Sequence, residues 1–335
     1  MKIMRTILSP FSGLYKVITN WRNYFYDREI LKSHSLDIPV ISIGNITAGG
    51  TGKTPFAIAL ANILVERGFK PAIITRGYKR RSKGQVIVSE GSGPIVSAPE
   101  SGDEPFLMAQ QTKNVVIIAD ADRFAAGKTA QDNYQSDIII ADDCFQHRRL
   151  HRDVDIVLWD AYSSPFDEHL IPKGRLREAF GNLNRADLLV FTRTDQPAPE
   201  FGSFFRDHGL TCFTAPTDIT DVKTADKSID QKYLRGKKLL AFCGLGNPEQ
   251  FFDTVKQLEP AKLQATTFPD HHKYTRAEME KIFSQFTQDG CDYLITTEKD
   301  RANIPANYSG RAELLFLSIE MNIQNSLIKE ILDRI

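Results

Sequence analysis

Short, almost continuously apolar runs recur along the chain at 38–43, 71–75, 115–119, 138–141, 155–159 and 187–191. Runs that are apolar throughout, rather than alternating, are the pattern of strands buried on both faces. Helical patterns separate them, which predicts an α/β fold with a parallel sheet covered on both sides. The stretch holding Phe56, Ile58, Ala59, Leu60, Ile63 and Leu64 predicts one helix, with Gly68 where a C-cap belongs. Further helices are predicted to open at Gly102-Asp103-Glu104-Pro105 and at Asp122-Arg123-Phe124.

The texture changes near residue 197, where Pro197, Pro199 and Pro216 with polar stretches predict a linker region. A second α/β run follows, with strands at 238–243, 263–268 and 293–297. Gly244 and Gly246 lack the third glycine of a dinucleotide fingerprint and read as a turn into a helix.

The N-terminus has its own pattern. Ile3, Met4, Ile7, Leu8, Phe11, Leu14, Tyr15, Ile18, Trp21 and Phe25 fall at helical spacing. Residues 1–34 hold six basic side chains against two acidic ones. No uncharged apolar stretch reaches the ~18 residues of a spanning helix, and a signal peptide fits poorly. A basic amphipathic helix with Trp and Tyr suits a membrane interface; the same spacing also suits a helix packed on a core. Pro10 predicts a kink or a second segment. The expected organisation is a P-loop NTPase-like parallel sheet domain at 35–200, a smaller α/β domain at 201–335, and the amphipathic helix at 1–34.

Composition changes this picture little. A length of 335 residues suits two domains. Basic and acidic residues balance at 42 each, so net charge carries no indication of nucleic acid. Four cysteines lie far apart with no Cys-x-x-Cys pair, which argues against a zinc site or a disulfide framework and favours a reducing face.

The candidate chemistry begins at residues 44–55, Gly-Asn-Ile-Thr-Ala-Gly-Gly-Thr-Gly-Lys-Thr-Pro, between a predicted strand and a predicted helix. That order builds a triphosphate cradle. Glycines let backbone N–H groups face the anion, Lys53 can reach the β- and γ-phosphates, and the Thr54 hydroxyl can hold Mg²⁺. The common pattern has a glycine five residues before Gly52, where this chain has Thr47. Asp142 and Asp143 follow the apolar run 138–141, the place where phosphate-loop enzymes keep an acid for Mg²⁺; helix capping is the competing reading. A kinase also needs a group to orient and deprotonate its acceptor hydroxyl, and Asp103, Glu104, His147, His271 and His272 are candidates. Asp103 also suits a helix cap. The basic stretches 76–83 and 173–177 can bind phosphates or form a solvated surface.

Taken together, several segments resemble one family, the tetraacyldisaccharide 4'-kinases (lipid A 4'-kinases). They are the loop 44–55, Arg76-Gly77-Tyr78-x-Arg80, Gly102-Asp103-Glu104-Pro105, Asp142-Asp143-x-Phe145-Gln146-His147, Gly174-Arg175-Leu176-Arg177-Glu178, Asp270-His271-His272 and Thr297-Glu298-Lys299-Asp300. The resemblance implies transfer of phosphate from ATP, with Mg²⁺, to the 4'-hydroxyl of an acylated glucosamine disaccharide 1-phosphate. It implies a site between two α/β domains, peripheral placement on the cytoplasmic face of the bacterial inner membrane through the N-terminal helix, and no nucleic-acid partner. The nucleotide would lie on Asn45, Thr47, Gly49, Gly50, Thr51, Gly52, Lys53 and Thr54, and Mg²⁺ on Thr54, Asp142 and Asp143. Asp103 would be the base or its orienter, paired with His271, with Lys53 and Arg175 also catalytic. Arg76, Tyr78, Glu104, Arg123 and Gln146 would face the substrate. Cys144 stands where the family usually has Gly, and Ala179 where it has Pro. A nucleotide-switch protein, such as a metallochaperone-like GTPase, is the competing class, since its loop also accepts Gly-Gly-Thr-Gly-Lys-Thr; the Thr192-Arg193-Thr194-Asp195 segment is its weak guanine-reader counterpart.

Overall fold

The apolar runs of the first half form the strands β1 (Val40–Gly44), β2 (Pro71–Thr75), β3 (Val86–Glu90), β4 (Val116–Ala119), β5 (Ile138–Asp142), β6 (Val154–Asp160), β7 (Leu188–Thr192) and β8 (Thr211–Ala215). In this computed structural model, residues 2–245, 248–269, 272–301, 303–311 and 313–335 are described. The eight strands make one sheet in the order β3-β4-β2-β5-β1-β6-β7-β8. Every neighbouring pair is parallel except β3 with β4. β1, β2, β5, β6 and β7 are buried along their whole length, as runs without a polar alternation require.

The helix Lys53–Glu66 buries Phe56, Ala57, Ile58, Leu60, Ala61 and Leu64. A Schellman turn ends it: Gly68 N–H donates to Val65 O and Phe69 N–H to Leu64 O, with Gly68 at φ +89°. Asp122 caps the helix Arg123–Tyr134 by accepting from the N–H groups of Phe124 and Ala125.

A second sheet is built from β9 (Thr217–Lys223), β10 (Lys238–Cys243), β11 (Lys262–Thr267), β12 (Tyr293–Thr297) and β13 (Leu314–Met321), in the order β11-β10-β12-β13-β9. The chain divides into two compact units, Met1–Pro216 with Met321–Ile335, and Thr217–Glu320.

This division differs from the expected boundary at 200. Pro199 does not open a linker; it occupies the first position of the helix Pro199–Asp207, where a missing N–H costs nothing. β8 then adds an edge strand to the first sheet. The C-terminal residues return to the first unit, where Ile323, Leu327, Ile328 and Ile331 join the core beside Phe56 and Leu60. β3, β8, β9 and β13 were not among the predicted strands. β3 is an antiparallel edge with a register shift between Ile87 and Ser89, so it lacks the long apolar run that marks the others.

One helix covers Lys2–Asp27, with Pro10 inside it. Several of its polar side chains contact the protein. Tyr15 Oη donates to Arg177 O at 2.9 Å, Ser12 Oγ to Leu170 O at 3.0 Å, and Asn23 Nδ2 to the buried Glu178 carboxylate at 2.9 Å. Phe11, Leu14, Val17, Ile18, Trp21 and Tyr24 are each more than half exposed. No described helix is long and apolar enough to cross a membrane.

Candidate active site

β1 is central in the first sheet, with β5 on one side and β6 on the other. The chain therefore reverses its direction of strand addition at β1, and crevices at such switch points lie outside the carboxyl ends of the strands. Residues 44–54 leave β1 at that end. Gly49 at φ +124° and Gly52 at φ +82° make the turn, and Gly52 is the residue before the helix Lys53–Glu66. A Cβ on Gly44 would fall 2.4 Å from Phe145 Cβ. Glycine there lets the turn after β5 approach the loop.

Thr47, the departure from the common loop, has a physical reason. It forms an antiparallel bridge with Leu176, Ala48 N–H donates to Arg175 O at 2.6 Å, and Arg177 N–H donates to Ile46 O at 2.7 Å. Residues 46–48 are thus paired like a strand with the Gly174–Glu178 segment, a role that favours a β-branched residue. Asn45 braces the loop: its Nδ2 donates to Thr51 Oγ1 at 2.9 Å.

The two acids after β5 have different surroundings. Asp142 is 2% exposed. Its Oδ2 accepts from Thr75 Oγ1 at 2.9 Å, and its Oδ1 has no hydrogen-bond partner. Burial, then the charges of Glu104 and Asp143, push its pKa up to about 7. Asp143 is also held in a desolvated place, but Lys53 and Arg177 outweigh that and keep its carboxyl below the ordinary value. Arg177 Nη1 grips both carboxylate oxygens of Asp143 at 2.8 and 3.0 Å, and Lys53 Nζ lies 3.6 Å from Oδ1. Arg177, which its motif alone does not single out, is therefore the main partner of Asp143. Asp143 carries the left-handed backbone, φ +48°, not Cys144. The Gly-to-Cys departure therefore strains nothing, and Cys144 sits as a fully buried thiol whose pKa burial pushes up to about 12. Ala179 has φ −68°, which proline would also adopt.

Two glycine turns bring the remaining motifs together. A Cβ on Gly77 would lie 2.8 Å from Ser101 O, and one on Gly102 3.0 Å from Tyr78 O. These backbones touch, so Arg76 and Tyr78 stand beside Asp103 and Glu104, all four exposed. Asp103 is the first residue of the helix Asp103–Gln111, directly after Gly102.

Three expected ligand residues already have partners within the protein. Arg123 is buried and its Nη1 donates to Asp120 O at 2.9 Å; burial lowers its pKa. Gln146 Nε2 donates to Asn45 O at 3.0 Å. Arg175 is exposed at the rim, held by Glu168 and by Ser163 Oγ. His147 is partly buried, and burial followed by the Arg123 charge lowers its pKa to about 4. At neutral pH it is uncharged.

Among the described residues, no group of three or more His, Cys, Asp or Glu is arranged to hold a metal by itself. Mg²⁺ in phosphate-loop sites is held by one or two side chains plus the nucleotide's own phosphates and waters, so two acids and a hydroxyl suffice. The residues fit such an ion: the buried Oδ1 of Asp142 is an acceptor without a donor, and a cation would satisfy it.

In the second unit, Asp270 and His271 lie outside the described residues. His272 stacks on Phe268, packs edge-on to Tyr274, and its Nε2 lies 3.1 Å from Glu278 Oε2. These contacts hold one face and one nitrogen of its ring. Asp300 is 2% exposed; Oδ1 accepts from Gly244 N–H and Tyr274 Oη, both at 3.0 Å, and Oδ2 from Thr297 Oγ1 at 2.6 Å.

Fold and site together define a phosphate-loop α/β phosphotransferase. The family model for tetraacyldisaccharide-1-P 4'-kinase matches residues 4–335, and the chain belongs to that family. It is 36% identical over 333 residues to a tetraacyldisaccharide 4'-kinase of Syntrophus aciditrophicus, covering 95% of this chain and 89% of the relative. It is 38% identical over 299 residues to the Aquifex aeolicus enzyme of the same name, covering 89% of each. Among solved structures it is similar to LpxK from Aquifex aeolicus in complex with ATP, at TM-score 0.78 and 35% identity, with 99% of both chains covered. The chain is accordingly an ATP-dependent lipid A 4'-kinase, and the nucleotide-switch alternative falls away.

Proposed function

We propose that the chain phosphorylates the 4'-hydroxyl of a tetraacylated glucosamine disaccharide 1-phosphate while lying on the cytoplasmic face of the inner membrane. The single observation that supports the site best is the convergence of Lys53, Asp143 and the unsatisfied Asp142 oxygen at the carboxyl ends of β1 and β5. Lys53 and the loop's N–H groups receive the phosphates. Thr54 and Asp142 would hold Mg²⁺, and the ion would supply positive charge to the transferring phosphoryl group. Asp143, kept ionised by Lys53 and Arg177, fixes the lysine between uses.

Asp103 takes the proton of the sugar hydroxyl, and His271 shares that role. Glu104, Arg76 and Tyr78 orient the acceptor from the two touching glycine turns, with Arg175 at the rim. The gain comes from positioning and electrostatics rather than covalent chemistry. The outward apolar face of the helix Lys2–Asp27 supports a surface position: an amphipathic helix of this kind buries its apolar side chains at the headgroup boundary. Its polar contacts to Arg177 and Glu178 set that face a few residues from the site.

Transfer of labelled γ-phosphate from ATP to tetraacyldisaccharide 1-phosphate in detergent micelles tests this reading. Wild type should label the lipid, and Asp103→Ala should lose turnover by roughly a hundredfold or more with ATP binding kept. Unchanged turnover in that variant removes Asp103 as the base.

A further inference from the structure

Three consecutive carbonyls of the phosphate loop each face a side-chain donor. Gly49 O lies 3.5 Å from Asn45 Nδ2. Gly50 O accepts from Arg193 Nη2, and Thr51 O accepts from Thr192 Oγ1 at 3.1 Å. In a trans peptide the C=O and the following N–H point in opposite directions. Fixing the carbonyls of Gly49, Gly50 and Thr51 therefore also fixes the directions of the N–H groups of Gly50, Thr51 and Gly52, the groups an anion nest is made from.

Two of the three donors come from the end of β7, which the site described above does not use. Thr192 is fully buried, and its hydroxyl also lies 3.3 Å from Trp159 O. Arg193 is buried, and its Nη1 is fixed by Asp160 Oδ2 at 2.6 Å. Asp160 ends β6, so the ends of two neighbouring strands supply one clamp. A planar guanidinium can hold a carboxylate with one nitrogen and a carbonyl with another; an ammonium offers no such fork.

We propose that Thr192 and Arg193, with Asp160 orienting the latter, are positioning residues that preset the phosphate loop for ATP. The proposal rests on reading residues 44–54 as the phosphate cradle. The Thr192-Arg193-Thr194-Asp195 segment, which resembles a base reader in the bare sequence, thereby acts on the loop's peptide planes. Preset N–H groups need no reorganisation when the phosphates arrive, so the clamp is read in ATP affinity.

Mg-ATP binding by titration calorimetry, with KM for each substrate, tests this on the full chain using Thr192→Val, Arg193→Lys and Lys53→Ala. Thr192→Val keeps the shape and removes one donor. It should weaken ATP binding about fivefold. Arg193→Lys keeps the charge beside Asp160 and should weaken it about tenfold. KM for the lipid should stay unchanged in both. If Arg193→Lys does not fold, Thr192→Val decides alone. Wild-type ATP affinity in the folded clamp variants, with Lys53→Ala weakened, overturns the proposal. So does an equal rise in both KM values. Wild-type affinity in Lys53→Ala instead overturns the cradle reading and the clamp with it.

Discussion

Asp142 and Asp300 invite comparison because they are so alike in position and so different in satisfaction. Each stands at or just past the carboxyl end of a buried parallel strand, and each is 2% exposed. Asp300 accepts from a backbone N–H, a phenol and a hydroxyl, and both its oxygens are occupied. Asp142 accepts one hydroxyl and leaves its second oxygen without a partner. A buried carboxylate with every acceptor filled ties chain segments together. One left short of donors, with a pKa raised to about 7 by burial and neighbouring acids, has an oxygen that a cation would satisfy.

The largest effect that would sharpen this contrast is on catalysis. Asp142→Asn should lose phosphate transfer by roughly a thousandfold, the scale of removing one electrostatic contribution to a transition state; initial rates with saturating ATP check it. The next is on stability. Asn at 300 has one carbonyl oxygen and cannot accept from both sides. Asp300→Asn should therefore destabilise the second unit by about 3 kcal/mol, read by denaturant titration.

An effect of similar size concerns pH. The folded value of Asp142, about 7, lies above its ordinary 3.8. Between those values the folded chain keeps a proton that the unfolded chain has released, so this group lowers stability as pH rises through that window. A neutral Asn escapes the loss. Asp142→Asn should melt near wild type at the acid end of the window. At pH ~8 it should gain on the order of 4 kcal/mol. A variant no more stable than wild type at the alkaline end would show that burial does not oppose this charge.

The smallest expected change touches neither acid. Trp21 lies on the outward face of the helix Lys2–Asp27. Trp21→Ser should weaken binding to anionic vesicles about tenfold, with the melting temperature held, as co-sedimentation and a thermal melt would show. An unchanged partition would detach that face from the bilayer.

The sheet core was legible because parallel strands buried on both faces are apolar throughout, and 38–43, 71–75 and 138–141 announce themselves that way. The edges were not: β8 is mostly half-exposed and β3 pairs antiparallel, so neither carries a continuous run. Pro199 misled for a related reason, since a helix start and a linker share the same proline. In the site, Lys53, Asp142 and Asp143 were readable from their order along one strand–loop–helix and one strand end. Arg177, Thr192 and Arg193 act through contacts 34 to 143 positions away, to Asp143, Thr51 and Gly50. Spacing along the chain carries no trace of those contacts. For Arg177 the available signal was its place two residues after Arg175 in one extended segment, on the same side of the buried Leu176.

The most direct test of the central claim measures phosphate transfer and thermal melting together for Asp142→Asn and Asp300→Asn. Asp142→Asn should be folded, at least as stable as wild type at neutral pH and above, and inactive, while Asp300→Asn should melt early. A stable Asp142→Asn enzyme that still transfers phosphate at the wild-type rate would contradict the account.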